Sequence, residues 1–170
     1  MRLAVVGHGE SGKNVVSEWL KQHSDLKYCH STSEAAASLL FDVFSLFDGS
    51  ASPPRYADTA ACHADRRNHR ELWREVILAF NGKRKTRLYL SMANNGNDVF
   101  NGIRCPVELQ ACLDAKIVDK VVWVERDVPR DPSFKIPYRD SYYALDNRGS
   151  LDDLDASLTA MCLNLGIPVR

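Results

Sequence analysis

The sequence lacks a long apolar segment, an excess of charge of either sign and a paired cysteine motif. None of its 170 residues belong to an apolar run near the roughly 20 residues that cross a membrane. Lys plus Arg and Asp plus Glu number 22 each, so no global positive field favours nucleic acid. We therefore predict neither a membrane nor a nucleic acid as a partner.

The cysteines are few, odd in number and scattered. They stand at positions 29, 62, 105, 112 and 162. This usage is typical of reduced thiols, and we expect a cytoplasmic protein. The pairs Cys29-His30 and Cys62-His63 lie too far apart for zinc-finger spacing. Strand-like sequence begins at Leu3, so we expect no signal peptide.

The most informative stretch follows a short apolar run near the N-terminus. Gly7 to Asn14 reads G-H-G-E-S-G-K-N and fits the phosphate-loop pattern G-x-x-x-x-G-K. Glycines let backbone N–H groups point inward, Lys13 adds a positive charge, and the following helix offers its positive N-terminal end. A glycine-rich turn in an ordinary strand–turn–helix unit is the structural alternative.

Two features surround this loop. Val15, Val16, Trp19 and Leu20 recur at helical spacing and predict one buried face. Asn14 stands where Ser or Thr usually helps to hold Mg²⁺, and its amide oxygen is a weaker ligand for that ion. We therefore predict nucleotide binding, with Asn14 as a weak candidate metal ligand.

Helices and strands alternate along the rest of the chain. Ser31 and Glu34 fit a capping box that opens a helix whose apolar stripe runs to Phe47. We predict a turn at 48–50, a loop at 50–55, one helix at 62–81, strands at 98–101, 117–124 and 142–145, a helix at 107–115, a loop at 126–139 and a helix from 150 to 166. The stretch 83–92 fits either a strand or a short helix.

This alternation predicts an α/β three-layer fold with a mainly parallel central sheet. The 170 residues fit a single domain. Ligands of such folds bind at the carboxyl ends of the strands, so the phosphate loop, Gly102, Arg104, Arg126 and Asn147 should share one rim. Arg66 and Arg70 add guanidinium groups suited to bidentate phosphate contacts, or else form a solvated basic face.

Together these segments resemble small P-loop nucleoside monophosphate kinases, chiefly bacteriophage deoxynucleoside monophosphate kinases and adenylate-kinase-like proteins. The phosphate loop carries most of the resemblance. The arginine-rich segment 65–73 is similar to a helix of the phage proteins, Asn101-Gly102-Ile103-Arg104 is similar to a D-G-x-P-R segment, and 146–153 is similar to an N-x-G-(S/T)-L ending. The family pattern has an acidic residue where this chain has Asn101, and Asp58 and Asp98 are candidate substitutes.

The resemblance implies one P-loop kinase domain over 1–170 with a short lid at about 126–141. It implies transfer of the ATP γ-phosphoryl group to a nucleoside monophosphate, with Mg²⁺, in the cytoplasm of a cell or of a phage host, by a monomer or homodimer. The implied catalytic residues are Lys13, Arg66, Arg70, Arg104, Arg126 and Arg130, and the lid would close over the transferring group with Arg126, Arg130 and Arg139. The implied nucleotide-binding residues are Gly7, His8, Gly9, Glu10, Ser11, Gly12, Lys13, Asn14, Val15 and Asn147.

Two other functions fit the same residues. A P-loop kinase of another small acceptor, such as a sugar or a shikimate-like acid, would keep the loop and Lys13 without a base-reading pocket. A non-catalytic protein that binds ATP as a regulatory ligand would explain Asn14 and Asn101, which replace residues linked to Mg²⁺. The sequence has no N-K-x-D guanine motif, which argues against a GTPase.

Overall fold

The chain folds around a four-stranded sheet in which every neighbouring pair of strands is parallel. A computed structural model describes residues 1–45 and 56–170. The strands are β1 Leu3–Val6, β2 Val99–Asn101, β3 Lys120–Glu125 and β4 Tyr143–Asp146. The α-helices are α1 Lys13–His23, α2 Thr32–Ser45, α3 Thr59–Asp65, α4 Arg70–Asn81, α5 Arg87–Asn94, α6 Pro106–Asp114 and α7 Leu151–Leu165, and Arg66–Asn68 form a 3-10 turn.

The strand order is β2-β1-β3-β4, so the N-terminal strand lies inside the sheet. Val5 pairs with Asn101, and Val6 pairs with Trp123. Because the strands are parallel, their carboxyl ends lie at one edge, and the loops that begin at residues 7, 102, 126 and 147 leave from that edge. The predicted mainly parallel α/β sheet and the shared rim are confirmed.

Helices cover both faces of the sheet, which makes three layers. The alternating side chains of β1 enter two separate cores: Ala4 and Val6 belong to one, and Leu3 and Val5 belong to the other. The first core also contains buried residues of α2 to α6, and the second contains those of α1 and α7. Burial on both faces explains why β1 is a continuous apolar run.

The helix boundaries mostly follow the sequence signals. Ser31 and Glu34 form the predicted capping box, with Ser31 N donating to Glu34 Oε2 at 2.7 Å and Glu34 N donating to Ser31 Oγ at 3.3 Å. Ser150 caps α7, and Gly166 ends it in the left-handed conformation. Of the ambiguous stretch 83–92, residues 87–92 are helical, as part of α5, and residues 83–85 form a turn. The predicted turn at 48–50, the loop at 50–55 and Phe47 lie outside the described residues.

Two predictions were wrong. The single helix expected at 62–81 is interrupted at residues 66–69, where His69 has φ −132° and ψ 38°. Asn68 Nδ2 donates to Asp65 Oδ1 there at 2.6 Å, the kind of local side-chain bond that competes with a continuous helix. Val15 is 49% exposed rather than buried, because the inner face of α1 is centred on Val16 and Leu20.

None of the helices in the described part of the chain is long and apolar enough to cross a membrane.

Candidate functional site

The loop Gly7–Gly12 joins β1 to α1 at the carboxyl edge of the sheet. Its backbone has positive φ at Gly7, Glu10 and Gly12, with values of 154°, 63° and 93°. A Cβ atom on Gly7 would lie 2.7 Å from Ser11 Oγ and from the carbonyl oxygen of Val124, and one on Gly12 would collide with the amide nitrogen of Asn147. The loop therefore requires glycine at both positions for conformation and for space.

Lys13 is the first residue of α1, and its side chain folds back over the loop. Its Nζ donates to the carbonyl oxygen of Gly7 at 3.0 Å and to that of His8, and it lies 3.5 Å from Ser11 Oγ. Burial and, to a smaller extent, the nearby charge of Arg104 lower the pKa of Lys13 to about 8, while Asp131 opposes them. The ammonium group is thus held next to the backbone that the sequence predicts to bind phosphate.

Asn147 ties the fourth strand to the same loop. Its side-chain amide donates to the carbonyl oxygen of Ser11 at 2.8 Å, and its backbone N–H donates to the carbonyl oxygen of Glu125 at 2.8 Å. The side chain is buried and supports the loop backbone from beneath. A direct role of Asn147 in nucleotide binding stays a prediction.

Asn14 and Asn101 meet at the opposite side of the loop. Asn101 ends β2, is 2% exposed, and donates from Nδ2 to Asn14 Oδ1 at 2.7 Å. The oxygen proposed to face a metal ion is thus already an acceptor within the protein. The described residues contain no group of three or more His, Cys, Asp or Glu side chains that could hold a metal ion.

The two candidate substitutes for an acidic metal ligand have structural partners elsewhere. Asp58 caps α3 by accepting from the N–H of Ala61 at 2.7 Å. Asp98 accepts from the N–H of Lys27 at 3.0 Å and precedes β2, so it lies at the far end of the strand from the loop. The residues of this rim do not fit a protein-built Mg²⁺ site.

Three of the predicted arginines form a positive cluster beside the loop. Arg104 follows β2, and Arg66 lies in the 3-10 turn, where its guanidinium donates to the carbonyl oxygen of His63 at 3.1 Å. Burial lowers the pKa of Arg66; Glu34 opposes this, and the positive charges of Arg70 and Arg104 lower it further. The charges of these three arginines therefore act on one another, and of the three Arg104 also acts on Lys13.

The segment 126–141, predicted to be a lid, packs against the loop. Phe134 is 6% exposed, and its ring lies 5.0 Å from that of His8 and 5.5 Å from that of Trp123. The backbone N–H of Lys135 donates to the carbonyl oxygen of Arg104 at 3.0 Å. Together these contacts dock the segment onto the loop and onto the residues that follow β2.

Two predicted lid arginines are not brought into the positive cluster. Arg126 and Arg130 are exposed, and within residues 1–45 and 56–170 their guanidinium groups have no hydrogen bond or ion pair. Arg139 instead donates to Gln110 Oε1 at 3.1 Å on α6. Roles for Arg126 and Arg130 in closing over a substrate stay predictions.

Sequence reasoning missed Asp131. Its carboxylate lies 2.5 Å from Arg104 Nη1, and its backbone N–H donates to His8 Nδ1 at 3.3 Å. No motif marks this residue, because its partners are distant in sequence. In the sequence, Asp131 is marked by nothing more than its place in a polar stretch next to Arg130. Many ordinary surface residues lie in such stretches.

Comparison with known proteins identifies a fold and no family. No family model matches the chain, and no curated protein matches it. A crystal structure of an unliganded sugar kinase from Janibacter sp. HTCC2649 has a similar fold, with a TM-score of 0.50 at 9% sequence identity. The match covers 98% of this chain and 94% of the other. The chain therefore has an α/β fold similar to that of a kinase.

Proposed function

We propose that this chain transfers the γ-phosphoryl group of ATP to a nucleoside monophosphate, either ribo or deoxyribo. One observation carries the proposal. A glycine loop with left-handed residues precedes α1; Lys13, at the start of that helix, folds back over this loop, and Arg104 pairs with Asp131, whose carboxylate lies against Gly9 of the same loop. Transfer between two phosphate groups brings several negative charges together, and this rim supplies positive charge from both sides.

On the donor side, the β- and γ-phosphates of ATP would lie in the loop Gly7–Gly12. Backbone N–H groups and the N-terminal end of α1 would face the phosphate oxygens. Lys13 would exchange its present acceptors, the carbonyl oxygens of Gly7 and His8, for phosphate oxygens. That exchange replaces neutral acceptors with charged ones, which form the stronger hydrogen bonds.

On the acceptor side, Arg66, Arg70 and Arg104 would hold the monophosphate. A phosphate oxygen of the acceptor would attack the γ-phosphorus in line, a new O–P bond would form, and the bond from the β–γ bridging oxygen would break. The products would be ADP and a nucleoside diphosphate. Arg126 and Arg130 would close over the transferring group and exclude water.

The family resemblance implies Mg²⁺ with the nucleotide. Since Asn14 and Asn101 bond to each other and Asp58 and Asp98 are engaged elsewhere, we assign no step of the transfer to a protein-bound metal ion. The same pair of amides favours a second candidate function. A nucleotide-binding protein without catalysis would need the loop and Lys13 but no carboxylate near the phosphates.

The test is ADP formation from ATP and Mg²⁺ with each ribonucleoside and deoxynucleoside monophosphate. Sugars are added to the panel because the structurally similar protein is a sugar kinase. Lys13→Ala is the active-site variant. Lys21→Ala is the matched control, because Lys21 lies on the same helix with an exposed side chain that pairs with Glu18.

The proposal expects ADP that depends on one monophosphate, persists in Lys21→Ala and falls by at least about a hundredfold in Lys13→Ala. ADP that depends on a sugar alone would assign the other acceptor class. ATP binding without turnover on any acceptor would support the non-catalytic candidate and overturn the kinase.

A further inference from the structure

The carboxylate of Asp131 lies directly over the glycine loop. Its Oδ2 is 2.5 Å from Arg104 Nη1, and a Cβ atom on Gly9 would lie 3.1 Å from the same oxygen. The side chain of Asp131 is only 9% exposed, while that of Arg104 is 43% exposed. An anionic group of the protein thus lies between the backbone of the loop and an arginine of the positive cluster.

Several contacts hold this carboxylate in place. Asp131 Oδ1 accepts from the N–H of Ser133 at 2.9 Å and from Ser133 Oγ at 2.6 Å. Burial opposes ionisation, but the hydrogen bonds from Ser133 and Arg104 outweigh it and keep the pKa of Asp131 well below its ordinary value. The group is therefore ionised throughout the neutral range.

The packing of the segment makes this position specific. Phe134, three residues on, is buried against the ring of His8, and the backbone N–H of Asp131 donates to the same ring. His8 belongs to the glycine loop. Moving the carboxylate away from the loop therefore disturbs ring contacts and a hydrogen bond as well as the ion pair with Arg104.

A phosphate group bound at this loop would need the same partners that Asp131 now uses. Arg104 already shares its guanidinium with the carboxylate, and the charge of Asp131 acts on Lys13. Two anions at one small site repel each other, so the carboxylate and a phosphate oxygen exclude one another there.

We propose that Asp131 is an internal competitor for phosphate: its carboxylate occupies the anion position between Gly9 and Arg104, and a polyphosphate ligand binds only by displacing it. This inference rests on the proposed phosphate-binding function of the loop. Asp131 thereby sets the affinity of the site. The apparent dissociation constant of the ligand equals its intrinsic value divided by the fraction of molecules in which the carboxylate has left this position.

The experiment compares the binding of inorganic tripolyphosphate and of ATP to the full-length protein and its variants by isothermal titration calorimetry. Asp131→Asn removes the charge and keeps the shape. Asp127→Asn is the matched control, because Asp127 lies in the same segment, is exposed, and has no side-chain hydrogen bond among the described residues. Lys13→Ala reports whether the ligand uses the loop at all.

We expect Asp131→Asn to bind both ligands about tenfold more tightly than the wild-type protein. A gain of this size corresponds to a carboxylate that occupies the anion position in about nine-tenths of the wild-type molecules. Asp127→Asn should bind as the wild type does. Unchanged or weaker binding by Asp131→Asn, with Lys13-dependent binding in the wild type, would overturn the competitor and leave the proposed function intact. Absence of Lys13-dependent binding in every variant would overturn both.

Ser133→Ala keeps the inference testable if Asp131→Asn does not fold. This variant removes the hydroxyl that donates to Asp131 Oδ1 and accepts from Arg104 Nη1, and it keeps the charge of Asp131. It should bind tripolyphosphate more tightly than the wild type, by a smaller factor than Asp131→Asn. Binding equal to or weaker than that of the wild type would contradict the proposed competition.

Discussion

The side-chain amide of Asn101 donates a hydrogen bond of 2.7 Å to the side-chain oxygen of Asn14. One residue ends a buried strand and the other lies in the first turn of α1, so the bond links the sheet to the helix that follows the glycine loop. This pair predicts how the site responds to a single change of charge. Asn101→Asp would place two acceptors face to face unless the amide of Asn14 turns, and would add a carboxylate oxygen next to the loop.

For Asn101→Asp we expect ATP binding to depend more strongly on Mg²⁺. The measurement is the ratio of the ATP dissociation constants in EDTA and in Mg²⁺, which should rise at least about tenfold over the wild-type ratio, because a carboxylate is a preferred ligand of this ion. Asn95→Asp adds the same charge at an exposed position after α5 and should leave the ratio unchanged. An unchanged ratio in Asn101→Asp would show that a carboxylate at this position does not reach the Mg²⁺ ion that the nucleotide carries.

Gly12→Ala tests whether the close approach of Asn147 shapes the loop. The added methyl group meets a positive φ of 93° and collides with the amide nitrogen of Asn147, so ATP binding should be lost. Gly96→Ala is the matched control: its φ is 86°, but a Cβ atom there meets nothing within 4 Å. Both variants should lose about 1–2 kcal/mol of unfolding free energy from the left-handed conformation, but only Gly12→Ala should lose binding as well.

The lowered pKa of Lys13 predicts a pH dependence of binding. Burial, and then Arg104, lower this pKa to about 8, so the ammonium group of the free protein is charged below that pH and neutral above it. The affinity for ATP should therefore fall from pH 7 to 9.5, by up to about tenfold per pH unit above the pKa. Lys13→Arg should flatten this slope, since a guanidinium stays charged over the range. A wild-type affinity that is constant to pH 9.5 would exclude Lys13 as the group that binds.

Glu108 predicts that the stability of the fold depends on pH. It is 5% exposed and accepts from Asn81 Nδ2 at 2.7 Å and from the hydroxyl of Tyr89 at 3.2 Å. Burial raises its pKa and outweighs both hydrogen bonds, which lower it. The folded state thus binds the proton more tightly than the unfolded state, so this contribution is complete below pH 4.5 and is lost as the pH rises through the folded-state value.

Urea unfolding from pH 4.5 to 8 measures this contribution. The difference in unfolding free energy between Glu108→Gln and the wild type should increase in favour of the variant as the pH rises, because glutamine keeps acceptor and size without the charge. A difference that does not change with pH would show that Glu108 has an ordinary pKa.

The sequence predicted the parts of the site that depend on local pattern and on parallel topology. Gly7 to Lys13 could be placed because glycine spacing is a direct signal, and Arg104 and Asn147 because parallel strands end at one edge. Capping chemistry predicted the starts of α2 and α7. These inferences require no knowledge of which side chains meet across the fold.

Predictions failed where distant side chains decide the outcome. The break after Asp65 depends on a bond from Asn68 that an apolar pattern does not encode. The position of Asp131 over the loop depends on Arg104, Ser133 and the ring of His8, which come together only in the folded chain. Val15 was wrongly predicted to be buried. Two adjacent valines at the start of α1 do not determine how the helix is rotated about its axis, and therefore do not determine which valine faces the core.

The inner position of β1 has a consequence for synthesis of the chain. Its strand neighbours, β2 and β3, begin at Val99 and Lys120, so β1 is synthesised long before either strand that pairs with it. At about 5–20 residues per second, the ribosome would add most of the chain while this apolar strand has both edges unpaired. Contacts so distant in sequence also slow refolding. A nascent or truncated chain that ends before Val99 would therefore present Leu3–Val6 as a surface for aggregation or for a chaperone.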